Sequence, residues 1–324
     1  MKKTKQIIAA LFMAFGLFIQ PAIVLAQQQA QTGSGLSISP TRTDLVVDAG
    51  TSADLTISIK NVTGGGVTAK AFVNDFQSDN VSGEPKLIVD PNQQVVGSIK
   101  KFLNGLNDVP LAKGESKDVK MSVNIPADTP PGAYYGVIRF QAVPVDQAAP
   151  GDGQVALTAS VGSIVLIEVP GNITEKIRVN KVGAYAGNVS RSIMTAKPTE
   201  VGIEIENLGN GFAKPFGRVE VKNMFGKLVK AYELNNSNPR GVVLPESKRL
   251  FKDSVEGVNL PGRYTISSNI SYGRGGDIIS ATKTFWYLPF WFVAILLVVL
   301  FALIFSAWLL YRRYISQSVT KRKK

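Results

Sequence analysis

The chain has no cysteine and no histidine, and only three tryptophans among its 324 residues. Each shortage removes a class of chemistry. Without thiols there is no disulfide and no thiolate nucleophile. Without imidazole there is no Ser-His-Asp triad, and without either there is no ordinary zinc site. Hydrolysis by paired carboxylates is the chemistry that composition leaves open. Acidic charge is also in short supply: 24 Asp and Glu stand against 36 Lys and Arg, a formal net charge of +12. Such an excess points to nucleic acid only if the cations gather on a folded domain.

They gather at the ends instead. Lys2, Lys3 and Lys5 precede an uncharged, largely apolar run that closes on Val24-Leu25-Ala26 before Gln27-Gln28-Gln29. That is the pattern of a secretory signal, residues 1–26, cut after Ala26. At the other end, residues 285–311 carry no charge, and Arg312, Arg313, Lys321, Arg322, Lys323 and Lys324 follow with no acid among them. At 1.5 Å per residue, Leu288 to Leu310 spans roughly 34 Å, enough for a hydrocarbon core. A single transmembrane helix over 285–311 is therefore expected. Trp286, Tyr287 and Trp291 would anchor it at one interface, and Trp308 and Tyr311, backed by Arg312 and Arg313, at the other. The basic tail, 312–324, puts the C-terminus in the cytoplasm and everything before the helix outside. Between Gln27 and Thr284 there remain 27 basic and 24 acidic residues, so nothing there calls for a nucleic-acid partner. Leu244-Pro245-Glu246-Ser247 is only a partial sortase signal and lies far ahead of the span, so the helix itself is the expected anchor.

The exported part opens with a flexible Gln/Gly/Ser leader, residues 27–35, and then reads as short alternating segments separated by Gly, Pro, Asn and Asp. Asp54 to Lys60 alternates apolar and polar residues, as do 119–125, 135–143, 155–169, 201–206, 218–222, 227–232 and 264–272, the two-residue period of strands. Helical spacing is visible only around 97–107, where Val96, Ile99, Phe102 and Leu103 would line one face of a short helix. Strands at about ten-residue intervals predict an all-β fold of two tandem immunoglobulin-like sandwiches, 36–169 and 172–284, with Pro170-Gly171 as the joint. All three tryptophans lie in or beside the span, so neither sandwich holds the buried Trp and Cys pair of antibody domains.

Internal echoes support two modules. Gly50 to Ile59 resembles Gly114 to Val123, a glycine turn feeding an alternating strand. Leu111 to Ser116 followed by Pro131-Gly132-Ala133-Tyr134 is matched by Leu244 to Ser247 followed by Pro261-Gly262-Arg263-Tyr264. Pro-Gly makes a turn, and the tyrosine either bonds back to an upstream carbonyl as a tyrosine corner or is simply an aromatic core residue beside that turn. Both readings support two sandwiches.

Candidate chemical sites are few. Asp75, Asp79 and Asn80 lie in one polar loop, but their spacing does not match a calcium loop, and a solvated turn is expected. Gly64-Gly65-Gly66 lacks the Lys-Ser/Thr of a phosphate loop and reads as a hairpin turn. Among the carboxylates Glu84, Asp90, Glu200, Glu204 and Glu206, the last two share a strand face opposite Val201, Ile203 and Ile205, as an exposed charged face would. The loop from Val143 to Gly153 reads either as a hairpin tip or as a ligand-contacting loop. Six Asn-x-Ser/Thr triplets, at Asn61, Asn80, Asn172, Asn188, Asn235 and Asn269, are read as incidental in a thiol-free bacterial surface protein. No catalytic residue, cofactor or metal is expected.

The order of parts, with Leu55-Thr56-Ile57-Ser58-Ile59-Lys60-Asn61, Val123-Asn124-Ile125-Pro126 and Pro131-Gly132-Ala133-Tyr134-Tyr135-Gly136-Val137-Ile138 ahead of a second β domain, one span and a basic tail, resembles the WxL-interacting surface proteins of Gram-positive bacteria. That resemblance implies a peptidoglycan-binding domain paired with a second binding domain. In place of the family's paired glycine before the returning strand this chain has Tyr135-Gly136. The expected function is a non-enzymatic, membrane-anchored scaffold or adhesion component with cell-wall polymer or exported β-rich surface proteins as partners. The alternative is a strand-exchanging chaperone or assembly subunit for pili or surface layers.

Overall fold

The computed structural model describes residues 35–88, 90, 93, 95–145 and 160–321, with side chains through Arg312. The proposed signal and nearly all of the leader, most of the Val143 to Gly153 loop, residues 155–159 and the last three basic residues lie outside that set. The first part of the chain forms β1 (Leu36–Ser39), β2 (Arg42–Val46), β3 (Ser52–Asn61), β4 (Val67–Asn74), β5 (Phe76–Ser78), β6 (Pro85–Leu87), β7 (Leu103–Asn104), β8 (Val109–Leu111), β9 (Ser116–Asn124), β10 (Gly132–Pro144) and β11 (Ser160–Val169). The second part forms β12 (Ile177–Tyr185), β13 (Ile193–Met194), β14 (Glu200–Asn207), β15 (Phe216–Asn223), β16 (Leu228–Leu234), β17 (Lys248–Ser254), β18 (Gly262–Tyr272) and β19 (Asp277–Tyr287), and ends in α1 (Phe290–Lys321).

Two sandwiches result. In the first, a sheet ordered β1-β3-β9-β7 faces one ordered β2-β11-β10-β4-β8. In the second, β12-β14-β17 faces β13-β19-β18-β15-β16. Period-two alternation explains the layers: Leu55, Ile57 and Ile59 of β3 are buried with Ile138, Phe140, Val165 and Ile167 in the first core, and Val201, Ile203 and Ile205 of β14 with Val219, Val221, Ile266 and Phe285 in the second.

Several expectations are corrected. Residues 97–107 are not helical. Gly97 takes a left-handed φ of 85°, Ser98 bridges to Tyr135, and Ile99 and Phe102 are buried by a single turn in which the Phe102 N–H donates to the Ile99 carbonyl at 2.9 Å. Two buried residues three apart fit one turn as well as a helix, and Val96 is almost fully exposed. Gly64 to Gly66 does not close a hairpin, because β3 pairs with β1 and β9 whereas β4 pairs with β10 and β8. The glycines carry the chain from one sheet to the other.

In the loop from Asn74 to Gly83 only the tip, Asn80 to Ser82, is an exposed bend. β5 and β6 form a small hairpin, Phe76 and Asp75 are buried, and Lys100 bonds the Asp75 carboxylate at 2.7 Å. The last strand runs past Thr284 to Tyr287 in unbroken register with β18, and Phe285 and Tyr287 are buried in the second core. The Tyr287 ring, expected at the start of the span, is thus packed in the second core ahead of the helix. Trp286 is half-exposed at the strand end, opposite Ile193. An apolar strand end running into an apolar helix gives no break in hydropathy, which is why the two merge in the sequence.

Among the described residues, one helix is long and apolar enough to cross a membrane. Its candidate span, Phe290–Arg312, has 23 residues and a mean hydropathy of 3.0, and no part of it is buried against the sandwiches. Only Leu288 and Pro289 separate it from β19, and the Pro289 carbonyl accepts the N–H groups of Phe292 and Val293 at 3.0 and 3.2 Å. The helix continues past Tyr311 to Lys321, so the tail's first residues extend it rather than following it.

Candidate functional site: an uncovered sheet edge

The two sandwiches share a frame, which makes their differences readable. In each, Pro-Gly starts the long central strand: Pro131-Gly132 opens β10 and Pro261-Gly262 opens β18. Both glycines have φ near 150°, positive-φ backbone that side chains rarely adopt. Two residues on, the Tyr134 hydroxyl donates to the Pro130 carbonyl at 2.8 Å and the Tyr264 hydroxyl to the Leu260 carbonyl at 2.7 Å. Burial raises the pKa of both phenols. Each ring packs on an aromatic partner, Phe102 at 5.1 Å and Phe285 at 5.4 Å.

The structure shows a second pair of equivalents, Asn61 and Asn207. The buried Asn61 amide donates to the carbonyls of Gly65, Leu111 and Ala112, and its oxygen accepts from Thr63. Asn207 likewise donates to Gly211 and Val243 and accepts from the Gly209 N–H. The readable signal was Asn followed four residues later by Gly at a strand end in both halves. Asn61 is also one of the six triplet asparagines, and its amide is fully occupied inside the protein.

The sandwiches dock on each other. Phe76, Val137, Leu166, Val242 and Leu244 form a buried cluster, with Tyr135, Ile164 and Phe212 against it. The Ala133 N–H donates to the Asn210 carbonyl at 2.9 Å. On the other side the β5–β6 hairpin reaches over: the Leu250 N–H donates to the Val81 carbonyl at 2.7 Å, and the Lys248 N–H to Asn80 Oδ1 at 3.1 Å. Asp79 shapes that tip. Burial pushes its pKa up, but bonds from the Ser82 hydroxyl and from the N–H groups of Val81, Ser82 and Gly83 outweigh this and hold the carboxyl well below the usual range. Lys214 pairs with Asp44 at 2.7 Å and Arg274 with Glu168 at the periphery. The outer edge of β17 is thus covered by the first sandwich at Lys248 and Leu250.

The edge of β19 is not. In the first sandwich, the chain leaving β1 crosses to the opposite sheet at Pro40, whose carbonyl accepts the Ser163 hydroxyl at 2.7 Å. It then runs as β2 parallel to Ile164 through Glu168 of β11. The register of the Pro-Gly strands equates Val169 with Tyr287, since they face Gly132 and Gly262, and so equates 164–168 with 282–286. In the second sandwich the matching segment stays in β12 for nine residues and reaches β19 only as β13, opposite Trp286 and Tyr287. The Trp286 N–H donates outward to the Ser192 carbonyl at 2.8 Å. By the two-residue period of the strand, the N–H and C=O of Ile278, Ser280, Thr282 and Thr284 point the same way. No described residue's backbone pairs with them.

Beside this edge lies a groove of about 370 Å³ between β12 and β19. Val179, Val182, Ala184, Ala281 and Phe285 contribute its apolar surface, and Lys181, Arg191 and Lys283 are the charged residues among the described ones that line it. None of the three cations has a carboxylate partner among the described residues; Lys181 lies 5.5 Å from the centre of the Tyr185 ring. A larger cleft of about 860 Å³ opens where the sandwiches meet, with Gln77, Asn80, Asn210, Tyr134, Tyr135 and Glu246 on its wall. Burial, with Glu246 and Asp75 nearby, raises the pKa of Tyr135.

The sequence-derived carboxylates do not converge. Arg178 takes the half-buried Glu206 on the outer face of β14 and holds its carboxyl low, while Lys252 takes Glu200. Among the described residues no cluster of three or more acids could hold a metal ion. Of the expected membrane anchors, Trp291, Trp308, Tyr311 and Arg312 lie exposed on α1, with the Arg312 guanidinium over the Trp308 ring at 5.5 Å.

No protein family matches the chain, and no curated protein does. Similar solved structures include the class 5 fimbriae chaperone CfaA, at 16% identity, covering 79% of this chain and 100% of that one, with a TM-score of 0.38. The CupB2 chaperone of Pseudomonas aeruginosa follows at 12%, 77%, 100% and 0.36, and a Porphyromonas gingivalis protein of unknown function at 14%, 79%, 98% and 0.31. At these identities and TM-scores the likenesses carry no functional argument. The chain is all-β, two immunoglobulin-like sandwiches and a C-terminal apolar helix.

Proposed function

We propose that this protein is a membrane-tethered surface assembly protein that accepts an extended strand from an exported β-rich partner along the open edge of its second sandwich. The observation that carries this reading is the row of outward backbone groups on β19 from Ile278 to Thr284, of which Thr282 and Thr284 are the counterparts of β11 residues that β2 covers in the first sandwich. Main-chain hydrogen bonds to a sheet edge supply affinity, and the groove beside the edge supplies selectivity. The helix holds the acceptor at the membrane, with the sandwiches outside and the basic end in the cytoplasm.

A photo-crosslinking residue placed at Thr282 or Thr284 of the full chain in intact cells tests the reading. Crosslinks to an exported β-rich protein, missing when the residue is at Lys117 on the first sandwich, are the expected result. Equal crosslinking at both places, or none, contradicts it.

A second reading, binding of cell-wall polymer, draws on the cleft between the sandwiches, whose amides and tyrosines are groups that hydrogen-bond and stack on sugars. The full chain in nanodiscs should then sediment with isolated cell wall, and Asn210→Ala should reduce the bound fraction. A chain that stays soluble at every wall concentration rules this out.

A further inference from the structure

We infer that the strand taken up on β19 is acidic. The inference rests on the open-edge reading and adds the partner's chemistry. Its basis is charge complementarity at one place. Lys181 from β12, Arg191 from the following loop and Lys283 from β19 line the same 370 Å³ groove, and among the described residues no acid lines it and none of the three is paired with a carboxylate. Elsewhere on the second sandwich most strand cations are paired: Arg178 with Glu206, Arg218 and Lys222 with Glu220, and Lys252 with Glu200.

Lys283 is the informative residue. It shares the core-facing side of β19 with Ala281 and Phe285, yet it is exposed, because no strand lies alongside to close that flank. An inward-facing lysine on a sheet edge repels a neutral apolar strand, which keeps such an edge from pairing indiscriminately. A strand bringing a carboxylate to that position turns the penalty into an ion pair sheltered by the groove. The same three cations therefore exclude the wrong strand and select an acidic one.

The test uses the full chain in nanodiscs of zwitterionic lipid and three fluorescent ten-residue peptides of equal strand propensity, whose charged positions are all Glu, all Lys or all Ser. The Glu peptide is expected to bind, to slow amide exchange at Thr282 and Thr284, and to weaken about tenfold in Lys181→Glu/Lys283→Glu, with the Lys peptide now binding that variant. If the Ser peptide binds wild type as tightly and protects the same amides, the acidic preference is wrong while the open edge stands. If no peptide binds or protects those amides, both fall. Because both lysines are exposed, the variant is expected to fold, and recovery of binding with the Lys peptide verifies this directly.

Discussion

In the first sandwich the chain leaves β1 after four residues, crosses at Pro40 and lies along β11 for five. In the second it stays with β12 for nine residues and meets β19 only at Trp286 and Tyr287. Both cores, both Pro-Gly starts, both bonded tyrosines and both clamping asparagines are otherwise alike. The point at which the first strand changes sheets decides which edge is left open. Proline has no N–H to donate to the ladder, so at position 40 it ends the pairing of β1 with β3 early. Residues 177–185 contain no proline, and β12 runs on against β14 until its partner ends.

The largest effects test whether the two frames are truly equivalent. Asn61→Ala and Asn207→Ala each remove at least three hydrogen bonds made by a buried side-chain amide and should cost about 2–4 kcal/mol, by a comparable amount in both sandwiches, in chemical denaturation. A cost confined to one sandwich would break the comparison. Next is the docking that joins them: Leu244→Ala, in the buried cluster between the sandwiches, should cost about 2–3 kcal/mol and split one unfolding transition into two.

Smaller, but sharper as a comparison, are Tyr134→Phe and Tyr264→Phe. Each removes one hydrogen bond and keeps the ring, for about 1 kcal/mol, again matched. The smallest is electrostatic. For Asp44, desolvation pushes the pKa up, but bonds from Arg42 and Lys214 more than offset this and hold it below its usual value. A lowered folded pKa means that the contribution is present above the unfolded pKa and is lost as pH falls through the lowered value. As the pair is exposed, less than about 1 kcal/mol is expected, seen as a looser docking in acid that Lys214→Ala abolishes.

Much of this architecture was legible in the sequence. Alternation located the strands whose one face is buried, such as 54–60, 119–125 and 201–206, because burial on one side and water on the other writes a period of two. It missed strands with weaker alternation, such as β4, β12 and β17. Phe285 and Tyr287 look like the start of a membrane helix because a buried strand end and a lipid-facing turn both demand apolar side chains. The Pro-Gly-x-Tyr echo showed the common frame, but the candidate site was out of reach: an open edge is a missing partner, and its residues, Ile278 to Thr284, look like any strand until the pairing is known. Only the unmatched Lys181, Arg191 and Lys283 leave a trace, and they converge only in the fold.

The measurement closest to the central claim is amide hydrogen exchange on the full chain in nanodiscs, resolved at single residues. The account predicts slow exchange at Ile164, whose N–H donates to the Thr41 carbonyl, and fast exchange at the corresponding Thr282 and at Thr284 in the partner-free protein. Protection of Thr282 and Thr284 matching that of Ile164, with no partner added, would show that the edge is already covered and would contradict it.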